Sequence, residues 1–157
     1  MSEPPLQGPG AAGPVVVGLG SDLRGDDGAG PAAARLLRGL GVAALENDGD
    51  PAELIEAWTG AGTAVVIDAA RSGEPPGTVR RYRHVPGSGG GPGPRSGSHA
   101  LSLGDAVELG RALGRLPGEL VVYTVEGERF GVGDGLSEPV RQAVGALART
   151  IARDLRP

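Results

Sequence analysis

The chain has 157 residues, the length of one domain, with 30 Gly, 14 Pro and no Cys. Its formal charge is −4, and all 15 basic residues are arginines dispersed along the sequence. These figures exclude disulfides, thiolate nucleophiles and cysteine-held metal clusters; with no basic stripe, they also argue against a nucleic-acid partner.

Residues 1–13 lack both a basic segment and an apolar segment, so they read as a flexible tail and not as a signal peptide. No apolar run approaches the ~20 residues of a membrane span, so no membrane partner is expected and the cytoplasm is the expected location. Pro14 to Leu19 is a short, β-branched, wholly apolar run, the mark of a buried strand. Gly28 to Leu40 reads as a helix with Pro31 in its first turn and Ala33, Leu36, Leu37 and Leu40 as its apolar stripe. Val42 to Leu45 is a weaker strand. Asp50-Pro51 opens a second helix through Trp58.

Thr63 to Ile67 is another buried strand, ending at Asp68. Thr78 to His84 interleaves Val79 and Tyr82 with arginines, which suits an edge strand and leaves His84 solvated. Residues 86–98 are Gly/Pro/Ser-rich and read as a mobile loop. His99 to Leu113 follows as a helix, with Ser102-x-x-Asp105 resembling a capping box. Glu119 to Val125 is a fourth buried-type strand, and Ser137 to Leu155 a closing helix with Ser137 as N-cap. Alternating strands and helices predict one domain over 14–157, a three-layer α/β/α sandwich on a mainly parallel sheet of about five strands. Ligands bind such sheets at the carboxyl ends of the strands.

Three segments put polar groups at that edge. In Gly18-Leu19-Gly20-Ser21-Asp22-Leu23-Arg24-Gly25-Asp26-Asp27-Gly28, a strand runs through a glycine-rich loop into a helix. Asp26 suits a helix cap; a cap needs one carboxylate, which leaves Asp27 without a structural task. The missing third glycine of G-x-G-x-x-G and the two acids fit a pyrophosphate poorly, and without G-K-[ST] there is no P-loop. Asp68 directly after a buried strand either bonds to backbone amides of the next turn or serves a site. His99 reads either as a loop histidine or, at a helix start, as a neutral ligand or proton acceptor.

Two carboxylates and one imidazole on one sheet edge suit a divalent metal with open positions, able to polarise an amide carbonyl. A serine mechanism is less apt, because Ser98 and His99 are adjacent only in sequence and no G-x-S-x-G elbow exists. A non-catalytic module that recognises a metallocentre-containing partner, and a nucleotide-dependent enzyme, are the competing readings.

The same residues resemble a known family. G-L-G-S-D-L-R-G-D-D-G-A-G is similar to the first signature of the nickel–iron hydrogenase maturation proteases, G-x-G-N-x-x-x-x-D-[DE]-G-x-G. Val66-Ile67-Asp68-Ala69 resembles their second acidic motif, Ser98-His99-x-Leu101 their histidine motif, and Gly131-x-Gly133-x-Gly135-Leu136-Ser137 their closing segment. The resemblance spans roughly Pro14 to Leu155. It implies a twisted, mainly parallel sheet between helices, and an endopeptidase that trims the C-terminal extension of a hydrogenase large-subunit precursor after nickel insertion. It also implies that Asp27, Asp68 and His99 face a divalent metal, nickel presented by the precursor. Ser21 stands where the family usually has Asn, and Asp27 where many members have Glu.

Overall fold

The computed structural model describes residues 13–84 and 100–155. The expected loop at 86–98, the tail apart from residue 13, and His99 lie outside the described residues. Chain order gives β1 (Val15–Leu19), a single 3-10 turn (Gly25–Gly28), α1 (Ala29–Gly39), β2 (Ala44–Asn47), α2 (Pro51–Trp58) and β3 (Thr63–Ala70). β4 (Val79–His84), α3 (Ala100–Leu113), β5 (Glu119–Glu126) and α4 (Glu138–Asp154) complete it.

The five strands form one sheet in the order β2-β1-β3-β5-β4. β1 pairs in parallel with β2 and β3, β3 pairs in parallel with β5, and β4 runs antiparallel along β5 at the edge. Helices cover both faces, which is the expected three-layer sandwich. Because side chains alternate across a strand, β3 splits its apolar residues between two cores. Val65, Ile67 and Ala69 pack with α1 and α4, while Ala64 and Val66 pack with α2 and α3. Trp58 closes the second core, fully buried, and its indole N–H donates to Arg115 O at 2.8 Å. Among the described residues no helix is long and apolar enough to cross a membrane.

Several local expectations are corrected. The buried residues of α1 are Ala29, Gly30, Pro31, Ala33, Ala34 and Leu37, while Leu36 and Leu40 are exposed. α1 lies on β1 and against α4, and close approach on two sides selects small residues over large ones. The Ser102–Asp105 signal falls inside α3, which already runs from Ala100. His84 is buried, because its register partner is Leu120 on the α2/α3 face, whereas Arg81 and Arg83 occupy the opposite alternation.

The sheet has its topological switch between β1 and β3: the chain leaves β1 towards β2 on one side and returns to β3 on the other. The two crossovers diverge there, and the carboxyl edge at such a switch point is where sheets of this kind bind ligands.

Candidate active site

Glycines set the close packing at this edge. A Cβ on Gly30 would lie 2.2 Å from Leu19 O and 2.6 Å from Ile67 O, and one on Gly18 would lie 2.0 Å from Gly30 O. The start of α1 therefore presses backbone to backbone onto β1 and β3. Gly20 completes the fit, with φ +138° and a hypothetical Cβ 2.0 Å from Asp27 O.

Asp27 sits in the 3-10 turn that the loop after β1 leads into and is 6% exposed. Its Oδ2 accepts from Ser21 N at 3.0 Å, and Ser21 N also approaches Asp27 O at 3.2 Å. Asp68 is 3% exposed and lies within β3, which continues three residues past Ile67, where its apolar run ends. The reason is β5, which pairs with β3 at every position from Thr63 to Ala70. One Asp68 oxygen accepts from Ala69 N at 2.8 Å, so the local-turn reading and an oriented carboxylate coexist. The structure thus places Asp27, in the turn that follows β1, and Asp68, on β3, at the carboxyl edge beside the switch point. Among the described residues no three His, Cys, Asp or Glu side chains group as a metal site.

Asp26 is fully buried, and it caps neither the 3-10 turn nor α1. Its Oδ2 accepts from Glu128 N at 2.8 Å, Arg129 N at 3.0 Å and Ser137 Oγ at 2.8 Å. Its Oδ1 accepts from Ser137 N at 2.7 Å, and Asp26 N donates to Arg129 O at 2.7 Å. Burial pushes its carboxyl upward, but the donors from Arg129, Glu128 and Ser137 outweigh it and hold the pKa below the ordinary value. Ser137 occupies the N-cap position of α4, yet its hydroxyl is spent on Asp26 and not on the helix. The first and last glycine-rich motifs are therefore one unit, bolted together through a single carboxylate.

Glu126, at the carboxyl end of β5, is a further buried acid, beyond those singled out from the sequence. The signal was present, because Glu126 closes the apolar run from Leu120 just as Asp68 closes that of β3. Its carboxylate accepts from Ser72 Oγ at 2.6 Å, Ser72 N at 2.8 Å and Gly73 N at 3.2 Å.

A doubly wound α/β sheet with buried carboxylates, and no phosphate loop, at its switch point has the fold of the nickel–iron hydrogenase maturation proteases. The NiFe hydrogenase maturation protease HybD from Thermococcus kodakarensis superposes with a TM-score of 0.76 at 24% identity, covering 92% of this chain and 100% of that one. The hydrogenase maturating endopeptidase HybD from E. coli gives 0.78 at 22% identity, covering 92% of this chain and 93% of that one. HycI from Thermococcus kodakarensis gives 0.63 at 19% identity, covering 95% and 96%. At these identities the likeness is one of fold. No family model and no curated protein matches the sequence.

Proposed function

We propose that this chain is an endopeptidase that removes a C-terminal extension from a nickel–iron hydrogenase large-subunit precursor after nickel insertion, in the cytoplasm. The observation that carries this reading is the pair of buried acids, Asp27 and Asp68, at the switch-point edge of a fold shared with E. coli HybD over 92% of the chain. In this reading His99 supplies the third group.

Two carboxylates and an imidazole are oxygen and nitrogen donors that suit a borderline divalent cation. The nickel comes with the precursor and is part of the substrate. Bound there, a divalent metal polarises the scissile carbonyl and stabilises the negative charge that develops on its oxygen. The chain's own contribution is orientation: Ser21 N holds one Asp27 oxygen, and Ala69 N holds one Asp68 oxygen. Asp26 fixes the turn that carries Asp27.

The test is mass spectrometry of a nickel-loaded precursor after incubation with wild type and with an Asp68→Ala, His99→Ala double variant. Wild type shortens the precursor at its C-terminus and the double variant leaves it intact. Equal cleavage by both overturns the assignment of the site. Stable binding by wild type with no change in mass identifies a recognition module instead of a protease.

A further inference from the structure

The face of the sheet that carries Asp68 continues sideways into a cavity. Residues in register on neighbouring strands share a face. Asp68 stands beside Thr124, and Thr124 beside Arg80, with Ala70 and Glu126 forming the next row towards the carboxyl edge. Thr124, Glu126, Arg80 and Tyr82 line a cavity of about 160 Å³, closed on the loop side by Ser72 and Glu74. The cavity thus begins one strand away from Asp68.

We propose that this cavity is a specificity subsite: it receives one side chain flanking the cleaved bond, and it favours a side chain that donates hydrogen bonds over an acidic one. This rests on the endopeptidase reading above. Neighbouring strands lie about 4.8 Å apart and an extended peptide advances about 3.4 Å per residue. A substrate whose scissile carbonyl lies at Asp68 therefore brings an adjacent residue over Thr124. The volume is several times the ~30 Å³ share of one water, enough for a side chain of middle size.

The preference follows from charge. Glu126 is 4% exposed, and its carboxylate is fixed by Ser72 and Gly73. Arg80, the lone cation of the lining, is already paired with Glu74 at 3.0 Å. Two carboxylates and one guanidinium leave the lining one negative charge in excess. A donor-bearing side chain meets acceptors there, whereas a carboxylate meets the like charge of the buried Glu126.

Nickel-loaded precursors carrying Gln or Glu at the residues flanking the cleaved bond would be cut by wild type, Glu126→Gln and Arg80→Ala. The readout is the kcat/KM ratio of the Gln over the Glu substrate. At one of the flanking positions, Glu126→Gln lowers that ratio about tenfold and Arg80→Ala raises it, because one removes a negative and the other a positive charge. A loss of packing alone does not move the two variants in opposite directions. Arg80 is half-exposed on an edge strand, so its variant keeps the test decisive where Glu126→Gln fails to fold. Wild-type cleavage with an unaltered ratio in Arg80→Ala overturns the subsite and leaves the protease standing. Absence of any wild-type cleavage overturns both.

Discussion

Asp26→Asn is the sharpest probe of how the site is held. The substitution keeps shape and removes charge. Four donors converge on the carboxylate, three on Oδ2 and one, Ser137 N, on Oδ1. An asparagine does best with its carbonyl oxygen in the Oδ2 position. Its amide group then faces Ser137 N, donor against donor, and leaves a buried N–H unsatisfied at about 1–3 kcal/mol. The three surviving bonds lose their charge assistance, which roughly halves each; cheaper burial of a neutral group offsets part of that. The net expectation is about 2–4 kcal/mol, or roughly 5–12 °C in Tm for a domain of this size. Circular dichroism melts measure it. Ser137→Ala alone costs about 1 kcal/mol, and the double variant falls short of the sum because both remove the same contact. A Tm for Asp26→Asn within about 2 °C of wild type, or strict additivity with Ser137→Ala, refutes the clamp.

The same carboxylate gives a pH signature. Its pKa is lowered on folding from the ordinary 3.8, so its stabilisation is present above that pH and is lost as pH falls through the depressed folded value. Urea midpoints of wild type and Asp26→Asn therefore converge as pH drops below 3.8. Gly30→Ala meets backbone atoms within 2.6 Å on both β1 and β3; it costs about 3 kcal/mol or prevents folding. Gly39→Ala, in the same helix with nothing within 4 Å, gains about 0.5–1 kcal/mol. Urea titration separates the pair, and equal effects would contradict the close approach. His84 is buried with no hydrogen-bond partner at Nε2 among the described residues, so His84→Phe leaves Tm unchanged or raises it by a few degrees. A fall of more than about 4 °C would mean that the imidazole is satisfied.

The sequence made the layers and the place of Asp68 legible, because buried parallel strands read as continuous apolar runs and an acid stands out where such a run ends; Asp27 was legible only as the second acid of the glycine-rich turn beyond β1. It hid what depends on partners far along the chain. Asp26 looks like a cap to any local rule, since its acceptors' partners are 102–111 residues away. Asp68 seemed to follow its strand because the pairing that prolongs β3 belongs to β5. Apolar size points to Leu36 and Leu40 on α1, but closeness of approach decides its buried stripe and favours Gly30, Ala33 and Ala34. The arginines around His84 suggest solvent, but alternate positions on a strand face opposite sides, and His84 shares the face of Leu120.

Asp27 is held through the main chain of Ser21: the amide N–H meets its carboxylate, while the Ser21 hydroxyl turns away to accept from Leu23 N at 3.2 Å. An amide is the same in serine and asparagine. A Ser21→Asn exchange therefore leaves the acid where it is, because the geometry of Asp27 does not consult the side chain at position 21.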